Sequence, residues 1–157
     1  MSRRAGFTLL EIVIALVIAL MLVTLAVPGI AGLLRDRDLQ QTFEGFDDLV
    51  RQAQERAVAE GRGFRIVFGE VAAVLEPSDP RDDDAGAEVA QYPIQDKETL
   101  TLERTAALVK KPLAEWPFWR SGCCEPVTVR YTGPAGSWTA EYDPLTVRGT
   151  LVETSVR

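Results

Sequence analysis

Hydrophobic positions change their spacing twice along the chain. Residues 12–34 carry no charged side chain and are mostly Ile, Val, Leu and Ala. As a helix rising 1.5 Å per residue, this run is about 35 Å long, enough to cross a hydrocarbon core of about 30 Å. Beyond it, Leu39, Phe43, Phe46, Val50, Ala53 and Ala57 recur at alternating steps of four and three. Gln, Arg, Asp and Glu fill much of the remaining surface. That spacing predicts an amphipathic helix whose apolar stripe packs on a core, with a coiled-coil seam as the alternative. Gly61 and Gly63 then stop it. Residues 8–60 read as one helix of roughly 80 Å, with Pro28 and Gly29 expected to kink it near the outer membrane face.

After Gly63 the period becomes extended. Phe64–Phe68, Thr99–Arg104 and residues 127–131, 138–142 and 147–152 read as strands. Gly133-Pro134-Ala135-Gly136 and Asp143-Pro144 mark turns between the last three. A long helix followed by short antiparallel strands gives an α+β fold, the helix packed on an antiparallel sheet or β-sandwich. The sequence shows no internal repeat.

Charge sets orientation. Arg3 and Arg4 precede the apolar run, whereas Arg35, Asp36, Arg37 and Asp38 follow it with no net charge. The positive-inside bias keeps the N-terminus cytoplasmic and sends the rest outward. An ordinary secretory signal fits poorly, because the run is long and Glu11 stands at its entrance. A plain anchor accounts for the length but not for Glu11. A carboxylate at the edge of a membrane helix carries a free-energy penalty and is usually functional.

Composition removes several activities. The formal net charge is −6, a poor match for nucleic acid, where neutralising phosphate dominates affinity. With no histidine, the commonest general base and metal ligand are missing. There is neither a phosphate-binding glycine loop nor a Gly-x-Ser-x-Gly elbow, so nothing points to an enzyme, a cofactor or a metal centre. The acidic loop 79–84 is dense enough in carboxylates to suggest calcium. It lacks EF-hand spacing, and a solvated loop is the expectation. Cys123 and Cys124 are the only cysteines, and they are adjacent. They are neither a disulfide framework nor a zinc spacing, but a vicinal disulfide, separate thiols and pairing to another protein all remain open. Trp116, Pro117, Phe118 and Trp119 form an aromatic cluster, expected to pack on the core or cover the sheet, with an exposed partner-binding patch as the alternative.

The segment Arg3-Arg4-Ala5-Gly6-Phe7-Thr8-Leu9-Leu10-Glu11, followed by the apolar run, resembles the class III signal of type IV prepilins and type II secretion pseudopilins. The resemblance implies a pilin-like fold and cleavage by prepilin peptidase after Gly6, whose bare backbone can enter a peptidase site closely. It also implies methylation of the new Phe7 amine. Glu11 would pair with the Phe7 amine of a neighbouring subunit, setting its register in an apolar filament core. The chain then divides into a leader (1–6), a transmembrane helix (7–34), an amphipathic half-helix (35–60) and a periplasmic β-rich domain (61–157). Once the leader with its two arginines is gone, the charge is −8.

Ala53, Ala57, Gly61, Phe64-Arg65-Ile66-Val67-Phe68 and Asp143-Pro144-Leu145-Thr146 are similar to the H-type minor pseudopilin of type II secretion. In that family the last motif usually runs on into glycine; here Val147 intervenes. The implied role is a minor pseudopilin, processed and assembled into a short periplasmic filament that drives protein export. Its implied partners are the prepilin peptidase, other major and minor pseudopilins, the inner-membrane assembly platform and membrane lipid. Alternatives are a minor pilin of a type IV pilus, including one that takes up DNA, and a membrane-anchored periplasmic binding domain.

Overall fold

The computed structural model describes residues 8–81, 90–105 and 114–156, the side chains of 24–33 apart. One helix, α1 (Leu9–Ala59), continues through positions 28 and 29. Thr8 caps its start, its hydroxyl accepting from the Glu11 N–H at 3.3 Å. At its end Gly61 takes the left-handed conformation (φ +63°), and Glu60 pairs with Arg56 at 2.9 Å and Arg62 at 2.6 Å. Among the described residues no helix is long and apolar enough to cross a membrane.

Eight strands follow: β1 (Phe64–Phe68), β2 (Ala72–Pro77), β3 (Gln91–Pro93), β4 (Thr99–Arg104), β5 (Glu115–Phe118), β6 (Val127–Gly133), β7 (Gly136–Tyr142) and β8 (Gly149–Val156). They form two four-stranded antiparallel sheets, ordered β3-β2-β1-β5 and β4-β6-β7-β8. Gly133 and Gly136 face each other across the β6–β7 hairpin, and at Gly136 (φ +148°) any Cβ would collide with the Ser155 carbonyl. The fold is α+β, with the helix against antiparallel sheets.

The stripe foreseen on α1 is the core. Leu39, Phe46, Val50, Ala53 and Ala57 are buried, Leu49 joins them, and Phe43 is half-buried. Phe46 ties the two sheets together, its ring 6.1 Å from Phe68 and 5.8 Å from Tyr92 on one side, and 6.2 Å from Trp138 and 6.3 Å from Tyr142 on the other. Trp116 and Phe118 of β5 lie in the same core, 4.7 Å apart, while Trp119 turns outward and is half exposed. The last strand differs from its expected bounds: it starts at Gly149, not 147, and runs to Val156. Val147 belongs to the preceding turn, buried and at φ +55°.

Candidate functional site

The N-terminal half of α1 has a different surface from its C-terminal half. Leu9, Leu10, Ile12, Val13, Ile14, Leu16, Val17 and the large apolar side chains up to Val23 are exposed. Glu11 sits in the first turn, where unpaired backbone N–H groups give the helix a partial positive charge that suits a carboxylate. Ala15 and Ala19 follow Glu11 at four-residue steps, and with Ile12 and Leu16 they line a shallow apolar groove beginning at the carboxylate. Small residues there let another helix approach closely, and an apolar surface this large on one element calls for a partner. Gly6 and Phe7, the expected cleavage pair, lie outside the described residues.

The other features read from the sequence lie in the β-rich domain, away from this surface. Cys123 and Cys124 stand as free thiols in this structure. Cys124 is buried against the turn after β7, its N–H donating to the Pro144 carbonyl at 2.9 Å, whereas Cys123 is half-buried. Burial first, then the neighbouring Cys123 and Asp143, push the Cys124 thiol up to about 12. Asp143 organises that turn: its Oδ1 accepts from the Leu145 and Thr146 N–H groups at 3.0 and 2.8 Å and from the Thr146 hydroxyl at 3.0 Å. These bonds hold its carboxyl below the ordinary value. Of the acidic loop, 82–84 lie outside the described residues, and among the described residues no three His, Cys, Asp or Glu gather as a metal site.

Two polar links between helix and sheet had no local signal in the sequence. Thr42 accepts the Trp138 indole N–H at 3.0 Å and donates to the Leu39 carbonyl at 2.7 Å. Asp47 is placed against Tyr142; its Oδ1 and the Tyr142 hydroxyl are both buried without a well-formed hydrogen bond. Both pairs join residues about a hundred positions apart, a distance over which periodicity carries no information.

Residues 1–27 match the family described as the prokaryotic N-terminal methylation motif. The fold is similar to that of the crystal structure of the type IV minor pilin FimU of Pseudomonas aeruginosa. The TM-score is 0.54 at 14% sequence identity, covering 76% of this chain and 94% of that one. No curated protein is significantly similar in sequence. The chain thus carries the prokaryotic N-terminal methylation motif at the head of a fold similar to that of a type IV minor pilin.

Proposed function

We propose that the chain is a minor pseudopilin of a type II secretion system, H-type, built into the tip region of a short periplasmic filament. The observation that carries this reading is the division of α1: an exposed apolar half with Glu11 in its first turn, and a half whose stripe is buried in the domain. A subunit made this way spends its helix twice, once as core and once as the surface that joins neighbours. In this reading the chain is cut after Gly6, methylated at Phe7 and anchored once in the inner membrane, with its domain in the periplasm. Glu11 receives the Phe7 amine of the adjacent subunit. The H-type assignment rests on Ala53, Ala57, Gly61 and β1 at the helix–sheet seam, and on the Asp143–Thr146 turn.

A second reading, a minor pilin of a type IV pilus, is favoured by the fold similarity to FimU. Deleting the gene separates the two: loss of protein export with surface pili intact supports the first, and loss of pili or twitching with export intact supports the second. Intact-mass analysis of membrane-extracted protein tests what they share. A mature chain beginning elsewhere than Phe7, or a Gly6→Leu precursor cut as efficiently as the unaltered one, would overturn the prepilin reading.

A further inference from the structure

The second sheet extends past the flank of the helix that covers it. β8 is its edge strand, and a register shift opposite Thr139 and Ala140 leaves Val152 as the extra residue. The bulge resets the alternation. Leu151, opposite the buried Ala140, and Thr154, opposite the buried Trp138, therefore both face the helix side. Yet α1 does not close over them: Leu151 is 42% and Val156 44% exposed. Between the helix flank and this strand lies a groove of about 230 Å³, formed by Leu39, Phe43, Trp138 and Leu151. Asp36 and Glu44 stand at its rim, and among the described residues no basic side chain lines it; Arg35 lines a separate cleft. Glu44 also accepts from the Gln40 amide at 3.0 Å.

We infer that this groove docks a different filament subunit through one bulky apolar side chain flanked by Lys or Arg. The inference rests on the assembly reading above and names the chemistry of one contact. The apolar floor takes the side chain, and the carboxylates two helical turns apart take the basic groups beside it. Charge argues against two other occupants. A second copy of the cleaved chain would bring another net −8 toward an acidic rim, and anionic lipid headgroups would be repelled by the same carboxylates. The groove also opens where α1 leaves the domain, just beyond exposed Leu34. It therefore lies on the same helix as the exposed apolar half.

The test is site-specific photo-crosslinking of the full chain in cells that make the whole filament system, with the probe at position 154 and a control probe at position 16. The expected product at 154 is an adduct with another prepilin-type subunit, the crosslinked peptide carrying a bulky apolar residue next to Lys or Arg. Leu151→Glu, and separately Asp36→Lys with Glu44→Lys, should each cut that adduct roughly tenfold at equal levels of processed protein, the effect of displacing one apolar anchor or reversing its charge partners. An adduct with a second copy, with lipid, or with nothing, while the control still captures subunits, overturns the groove proposal and leaves the assembly reading standing. Failure of both probes overturns both. An adduct undiminished by charge reversal overturns the basic-flanked chemistry.

Discussion

The indole N–H of Trp138 donates to the hydroxyl of Thr42 at 3.0 Å, the polar tie between the amphipathic half of α1 and the centre of the second sheet. Trp138 is 1% exposed, stacks on Tyr131 at 5.4 Å and meets Phe43 edge-on at 5.4 Å, so its N–H has little access to water. Thr42→Val preserves the shape and β-branching but leaves that donor unpaired. The expected loss is about 1–3 kcal/mol in a reversible melt of the detergent-solubilised chain. Thr42→Ser should recover most of it. Equal stability of the Val and Ser variants would show that the hydrogen bond contributes nothing.

Asp47 supplies a pH-dependent test. Burial holds its carboxyl above the ordinary carboxylate value; the Tyr142 hydroxyl, Arg51 and the Gly149 N–H pull it partly back, and Asp48 pushes it up slightly. A carboxyl raised on folding penalises the folded state once it ionises. Its contribution is therefore neutral below the unfolded value, becomes destabilising as pH rises through the raised value, and is fully so above it. Asp47→Asn removes the ionisation and keeps an acceptor facing Tyr142. The variant should melt higher than the unaltered chain at pH 7, and the gap should close as pH falls below about 4. The opposite trends of Asp143 and Glu60, whose carboxyls are lowered, are common to both chains and cancel in the difference.

The cysteine pair offers a count. A thiol pushed up to about 12 is almost wholly protonated at pH 8 and reacts slowly with alkylating reagents. In the folded protein Cys123 should label first and Cys124 only after unfolding, so mass analysis gives one adduct native and two in denaturant. Two rapid native adducts would contradict the burial of Cys124. No adduct until a reductant is added would instead reveal a vicinal disulfide.

Much of the helix was legible in the sequence because its signal is local. The stripe from Leu39 to Ala57 repeats often enough to fix which face is buried, and β1, β4 and β6 announce themselves by alternation. β2, β3 and β5 do not. Ala72–Pro77 is short and ends in proline, Gln91–Pro93 has three residues, and Glu115–Phe118 contains Pro117. That proline is tolerated because β5 is an edge strand, with β1 its one neighbouring strand among the described residues. The end of β8 hides for another reason: Glu153 and Ser155 lie opposite the outward-facing Thr139 and Ser137, and Thr154 on the helix side is left exposed, so no apolar alternation marks it. At the candidate site Glu11 could be read from its place before an apolar run. Thr42 and Asp47 could not, since their partners meet them only through the tertiary fold.

Val147 stands where the H-type resemblance leads one to expect glycine, and its conformation shows why glycine would suit. A β-branched residue at φ +55° is strained by about 1–2 kcal/mol. Its side chain, 5% exposed, helps close the core beside the Asp143 turn. Val147→Gly relieves the strain, gives up about 1.5–3 kcal/mol of burial and adds about 0.5–1 kcal/mol of chain entropy to the unfolded state. The net expectation is a loss of about 1.5 kcal/mol, below the roughly 2–4 kcal/mol that lost burial and chain entropy would give without the strain. A loss above about 3 kcal/mol in chemical denaturation would mean that the backbone is not strained there.

Glu11 is the residue on which the assembly reading stands or falls. Its backbone N–H, not its carboxylate, makes the contact with Thr8, so the cap survives substitution. Losing an acid from the first turn of a 51-residue helix weakens it by about 0.3–1 kcal/mol, too little to unfold it. Glu11→Ala should therefore insert, be cleaved after Gly6 and accumulate normally; removing a charge beside the apolar run favours insertion. The defect should appear when subunits join, where the Phe7 amine of a neighbour meets no carboxylate in an apolar core. An unpaired buried ammonium costs several kcal/mol, which lowers incorporation by orders of magnitude. Crosslinking to neighbouring subunits, with protein export measured in the same cells at matched levels of processed chain, reads this directly. Wild-type crosslinking and export by Glu11→Ala would remove Glu11 from the assembly mechanism. A Glu11→Asp chain should fall between the two, because the charge remains while the shorter side chain reaches the amine less well. Graded loss through Asp to Ala separates a charge pair from mere packing of the helix N-terminus.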